Sequence, residues 1–141
     1  MKISARNQLK GTISTVSEGA VNGVVAIDLG DATIKADITV EAINDLGLKE
    51  GMTAYAIIKA TNVMFAVGTE RISSISARNQ LAGTVAEVKK GAVNGHVSLK
   101  LADGNAIKGS ITNEAIDDLG LTEGAPALAI VKATDVIVGV E

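Results

Sequence analysis

The sequence has no cysteine and no tryptophan, and only one proline, one histidine, one tyrosine and one phenylalanine. Without cysteine there is no disulfide framework, no thiolate metal site and no cysteine nucleophile. With Tyr55 and Phe65 as the only aromatics, the core must be filled by Val, Ile, Leu and Ala. Such side chains bury little area each, and small domains are marginal to begin with, so assembly is expected to supply part of the stability. The shortage of aromatics also removes the stacking platforms on which single-stranded nucleic acids lie. A basic groove is missing too: net charge is −3, with 6 Lys/Arg against 8 Asp/Glu in residues 1–70 and 7 against 8 in residues 71–141. Polyanion affinity is built mainly from many Lys/Arg–phosphate contacts, so no nucleic-acid partner is expected. There is no His–carboxylate set, no metal-ligand cluster and no Walker A loop, and hence no sign of an enzyme. No apolar run reaches membrane-spanning length and "MKISARNQ" has no hydrophobic signal region, which makes the cytoplasm the default location and leaves no membrane partner.

What is present is repetition. Apolar residues make up 47% and charged residues 21%, a globular composition. Laid on itself, the chain matches nearly end to end: residues 4–31 correspond to 76–103 at an offset of 72, and residues 34–67 to 107–140 at an offset of 73. "SARNQLKGT" returns as "SARNQLAGT", "GAVNG" at 19–23 returns at 91–95, and "DLGL" at 45–48 returns at 118–121. The extra residue falls near Gly104, in a turn, where insertions are tolerated. Two copies of so long a period indicate tandem domain duplication and not a solenoid. The units are residues 1–69 and 73–141, joined around "GTERISS".

Within a unit the pattern is mostly strand. "QLKGTISTVSEG" alternates through Leu9, Gly11 and Ile13 and then skips to Val16, and "AVNGVVAIDLG" carries Asn22-Gly23, a dipeptide that favours tight turns. "TIKADITV" alternates Ile34, Ala36 and Ile38 as a third strand. The period then changes. In "TVEAINDLGL", Thr39 is placed to cap a short helix, Glu41 lies in its first turn, and Gly47 stops it. "MTAYAIIKA" and "NVMFAVG" complete the unit as two β-rich runs. The fold class expected is all-β with one short helix per unit: two tandem Greek-key barrels of OB type.

Charge is unevenly spread inside each unit. From Met1 to Ser17 there is no carboxylate while Lys2, Arg6 and Lys10 are present, and from Gly51 to Thr69 the only charge is Lys59. Arg78 and Lys132 repeat this in the second unit. A tetrahedral dianion must exchange its water for donors, which backbone N–H groups, hydroxyls, amides and cationic side chains supply. "SARN" offers Ser4, Arg6 and Asn7 in a bend-prone stretch suited to an N–H nest, Lys59 a compact charge, and Thr39 a hydroxyl at a helix start. Each also has a plainer role: Arg6 and Arg78 as surface arginines, Lys59 and Lys132 snorkelling from strand ends, Thr39 and Thr112 as helix caps, "GAVNG" as a turn. His96 stands where the first unit has Val24 and reads as a strand-surface residue, and Pro126 as a strand start.

The set "ISARNQLKGT", "GAVNG", "ITVEAINDLGL" and "IIKATNV", in that order and twice over, resembles the Mop-domain family, the molbindins. The resemblance covers essentially the whole chain as two tandem Mop domains. It implies OB-like barrels, cytoplasmic binding of molybdate or tungstate for molybdenum storage or homeostasis, no organic cofactor, and homo-oligomers in which three two-domain chains mimic a hexamer. The oxyanion sites would lie between domains or subunits, drawing on Ser4, Ala5, Arg6, Thr39, Lys59 and Ala60 and on Ser76, Ala77, Arg78, Thr112, Lys132 and Ala133. A second type of site would draw on Gly19, Val21 and Asn22 with Gly91, Val93 and Asn94. The second unit departs in having Asp135 where the first has Asn62, which puts a carboxylate beside Lys132. An OB-type nucleic-acid-binding module and a purely structural oligomer are the alternatives.

Overall fold

A computed structural model describes all residues, 1–141. The first unit forms β1 (Asn7–Glu18), β2 (Asn22–Asp28), β3 (Thr33–Thr39), α1 (Val40–Leu46), β4 (Thr53–Ile58), a 3-10 turn at Ala60–Asn62 and β5 (Met64–Val67). The second repeats the order: β6 (Asn79–Lys90), β7 (Asn94–Leu101), β8 (Ala106–Thr112), α2 (Asn113–Asp118), β9 (Pro126–Val131), a 3-10 turn at Ala133–Asp135 and β10 (Ile137–Gly139). No helix is long and apolar enough to cross a membrane.

The fold is mostly β, built as two curled five-stranded sheets that form half-barrels, one per repeat. Their orders are β10-β4-β1-β2-β3 and β5-β9-β6-β7-β8, so each sheet takes one edge strand from the other repeat. Met64–Val67 pairs with β9 and Ile137–Gly139 with β4, all antiparallel. Side chains of both repeats merge into one core that includes Ile13, Ile34, Ile58, Val85, Leu99 and Ile107.

Local chemistry explains the curl. β1 pairs with β4 through its first half and with β2 through its second, and the ladder slips between Ile13 and Thr15. This bulge is the skip in the apolar pattern between Ile13 and Val16: one extra residue, Ser14, restores the inward phase and increases the local twist. Gly11 lies at the crossing. A Cβ there would collide with the carbonyl oxygen of Asp28 and lie 2.7 Å from Ile27 Cγ2. Gly83 is in the same position over Lys100.

Thr39 caps α1 as its position suggests, Oγ1 accepting from Ala42 N–H at 3.1 Å, and Gly47 ends the helix at φ 62°. Ile43 anchors α1 in the core and packs so closely over Gly23 that a Cβ on Gly23 would lie 2.6 Å from Ile43 Cδ1. Asn22-Gly23 therefore does not form the hairpin turn expected of it. Ala20 and Val21 form the tip, closed by Gly19 N–H donating to Asn22 O at 2.8 Å, and Asn22 already belongs to β2. Pro126 opens β9, the strand start its lack of an N–H favours.

Exchange of the edge strands rests on paired volumes. Phe65 of β5 fills the space over Gly109 of β8, where a Cβ would come 2.7 Å from the ring Cζ. The repeat-equivalent pair is Val138 and Ala36, so the smaller side chain on the exchanged strand meets the larger one on the receiving strand.

Candidate anion site

The repeated phrase separates into residues that build and residues that remain free. Asn7 is only 2% exposed and does not face an anion pocket. Its Nδ2 donates to Ile58 O at 3.2 Å and Lys108 O at 2.8 Å, and its Oδ1 accepts from Lys108 N–H at 2.7 Å. Asn79 does the same in reverse, accepting from Lys35 N–H and donating to Lys35 O, both at 2.8 Å. β3 and β8 are sheet edges, with backbone groups that would otherwise lack partners, and each asparagine amide pairs with such an edge as one residue of a further strand would. Reading Asn7 as an anion donor is thus corrected: burial and a full set of partners make it a clamp between the repeats. Gln8 ties the loop to itself, its Nε2 donating to Ala5 O and Ile3 O at 3.3 Å, while Leu9 enters the core.

Ser4, Arg6, Ser76 and Arg78 remain exposed, and Ala5 and Ala77 lie half-buried beside them. Neither arginine engages in a salt bridge, and neither does Lys59 or Lys132. In the second repeat the loop is held further from the linker, where Arg71 donates to Arg78 O at 3.3 Å and Ala77 O at 3.4 Å.

The clamps bring each phrase against the other repeat. Arg6 and Ala60 line one side of a cleft of about 310 Å³ whose other side is the outer face of the second sheet. Two cross-strand rows form that face: Lys89–His96–Ser110 and Glu87–Ser98–Lys108. Lys59 adjoins Ala60 at the start of the 3-10 turn, and Glu87 pairs with Lys89 at 3.2 Å. The cleft combines guanidinium, ammonium, imidazole and hydroxyl donors, the groups that replace the water of a small anion.

The strands that end in Thr39 and Thr112 pack across the repeat boundary. β3, which ends in Thr39, packs against the 3-10 turn Ala133–Asp135, and β8, which ends in Thr112, against Ala60–Asn62. The strands that end in these threonines thus lie against the 3-10 turn that follows Lys132 or Lys59 of the other repeat. Capping uses each threonine's oxygen as acceptor and leaves the hydroxyl proton free to donate.

Gly19, Val21 and Asn22, with Gly91, Val93 and Asn94, occupy the two hairpin tips, away from this cleft's lining. Val21 and Val93 are 72% and 70% exposed, and their carbonyls accept from the first helical N–H, Val40 at 2.7 Å and Asn113 at 2.8 Å. Sequence reasoning missed Glu87, Lys89, Ser98 and Lys108 as cleft residues and gave His96 no role. Their signal lies in strand register, which places them in rows opposite Arg6 only once the repeats are docked.

A curled, bulged half-barrel closed by its twin thus leaves cationic side chains without salt-bridge partners at the seam between the repeats. The family model of the TOBE domain matches residues 3–65 and again 75–138, and the chain belongs to that family, with two copies in tandem. It is 42% identical over 142 residues to the molybdenum transport protein ModE of Herbaspirillum seropedicae, covering 100% of this chain. With the molybdenum-pterin-binding protein MopA of Rhodobacter capsulatus it shares 41% identity over 138 residues, 97% of this chain. The chain spans about half the length of these two relatives, 52% of each. A crystal structure of the cytoplasmic molybdate-binding protein ModG with molybdate bound is similar over 100% of both chains, with a TM-score of 0.93 and 44% identity.

Proposed function

We propose that this protein binds molybdate, and tungstate by the same chemistry, in clefts between its repeats and between chains. The observation that carries this reading is the convergence of Arg6 and Ala60 with Lys108, Ser98 and His96 across the repeat boundary, in a chain similar over its full length to a molybdate-binding protein. Ser4, Arg6, Lys59 and Ala60, with Thr112 on the facing strand, are the donors of one site. Ser76, Arg78, Lys132 and Ala133, with Thr39, are those of its counterpart. Ala5 and Ala77 contribute backbone N–H groups. The hairpin tips Gly19–Asn22 and Gly91–Asn94 form a second type of site where chains meet.

Repeats 1–69 and 73–141 act as one interlocked pair, and the chain assembles as a homotrimer. The role is storage or buffering of the oxyanion in the cytoplasm, without catalysis or an organic cofactor. Calorimetric titration with molybdate, tungstate, sulfate and phosphate, alongside solution mass, tests this reading. Arg6→Ala with Arg78→Ala should weaken metal-oxyanion binding at least tenfold, about 1.4 kcal/mol, and leave the far-ultraviolet circular dichroism unchanged. Unchanged isotherms would refute the assignment, and tight, salt-sensitive binding of single-stranded DNA would favour the OB-type alternative.

A further inference from the structure

We propose that the two repeat-related oxyanion sites are unequal, the Arg6 cleft being the strong one and the repeat-equivalent surface beside Arg78 a weak one held down by Asp37. This rests on the oxyanion reading above and adds what distinguishes one site from the other.

The repeat offsets map each cleft residue onto its counterpart. Opposite Arg6 stand the rows Lys89–His96–Ser110 and Glu87–Ser98–Lys108. At the equivalent positions of the first sheet stand Ser17–Val24–Asp37 and Thr15–Ala26–Lys35. The strong site thus has Lys89 and His96 in its cleft, with Ser110 next in their row, where the weak one has Ser17, Val24 and the Asp37 carboxylate. Glu87, the one carboxylate lining the strong cleft, is already engaged by Lys89.

Asp37 lies on β3, the strand packed against Ala133–Asp135. Ile34 and Ala36 point inward and are fully buried, which turns Lys35, Asp37 and Thr39 to the other face. The Asp37 Oδ1 atom is shielded from solvent and has no hydrogen-bond partner, and no salt bridge neutralises the group. Asp135 adds a second carboxylate in the 3-10 turn itself, at the position Asn62 holds in the first repeat. A like charge beside a dianion disfavours binding, the more so where water is partly excluded.

The test is calorimetric titration of sodium molybdate into the full-length chain at fixed pH and ionic strength. Beside the hairpin-tip sites, which neither arginine variant touches, the wild type should show a tight and a weak class of site; Arg6→Ala should remove the tight class and Arg78→Ala the weak one. Asp37→Ser, which copies Ser110, should strengthen the weak class at least tenfold and leave the tight class in place. Ser110→Asp should weaken the tight class by a similar factor. Asp37→Asn, closest in shape, serves if Asp37→Ser unfolds, and circular dichroism monitors the fold of all variants. A single class of identical sites in the wild type, or Asp37 variants with unaltered isotherms, would overturn the inequality while leaving molybdate binding intact. No binding by the wild type would overturn both readings.

Discussion

Removing the Asn7 side chain should cost stability, not anion affinity alone. Asn7→Ala deletes three hydrogen bonds, one to Ile58 O and two to the backbone of Lys108 on the edge of β8. A net hydrogen bond contributes about 0.5–1.5 kcal/mol, and a buried group left without a partner costs about 1–3 kcal/mol. Discounting for the partial exposure of the β8 edge gives a loss of about 2–4 kcal/mol. At about 4 °C per kcal/mol for a chain of this size, Tm should fall by about 8–16 °C. Asn79→Ala loses two bonds, both to Lys35, and should cost somewhat less. The clamps share no partner, so the double variant should lose close to the sum. Asn7→Asp keeps the shape but cannot donate when ionised, and should be no more stable than Asn7→Ala. Guanidinium unfolding with an unchanged m-value is the assay. A loss below about 0.5 kcal/mol, the range of ordinary surface substitutions, accompanied by weaker molybdate binding, would refute the clamp and return Asn7 to the ligand set.

Truncating Phe65 to Ala should cost about 3–5 kcal/mol, as for other buried aromatics, measured by the same unfolding. Phe65→Val with Gly109→Ala recreates the Val138–Ala36 pair of the other repeat, and should be more stable than the sum of the single losses predicts; strict additivity would contradict the volume exchange. Gly11→Ala should lose about 1–3 kcal/mol or more, on the order of other overpacked core sites, because its Cβ meets the Asp28 carbonyl, and folding with near wild-type Tm would contradict the crossing geometry. The Tyr55 hydroxyl donates to Glu141 Oε1 at 2.9 Å, and this bond raises the phenol above its ordinary value of 10.0, with desolvation and the carboxylate's charge adding to it. Since the folded value is the higher one, the contribution is present below pH 10 and fades as pH rises through the raised value. Glu141→Ala should bring the ultraviolet titration of the single tyrosine back toward its ordinary midpoint; an unmoved midpoint would contradict the bond.

The strands and the helix were legible because each has a local signature: period-two alternation in Ile34–Ile38, the cap and stop at Thr39 and Gly47, and even the phase skip after Ile13, which the bulge at Ser14 produces. Strand exchange left no such trace. Met64–Val67 has the same alternation whichever sheet it joins, and only the fit of Phe65 over Gly109 decides. Asn7 misled for a related reason, since a polar side chain in a polar phrase looks like a free donor until the partner edge is brought to it. The proposed donors Ser4, Arg6 and Lys59 stand out in the sequence as uncompensated charge and hydroxyl groups. That β3 and β8 pack on the 3-10 turn of the opposite repeat, and that His96 and Lys108 face Arg6, depends on docking, which no single segment encodes.

Diffraction at the molybdenum absorption edge from a crystal grown with molybdate addresses the central claim most directly. An anomalous peak should lie between Arg6 and Ala60 on one side and the outer face of β7 and β8 on the other. A peak confined to other surfaces, or none under conditions where calorimetry shows binding, would contradict the placement of the oxyanion at the seam between repeats.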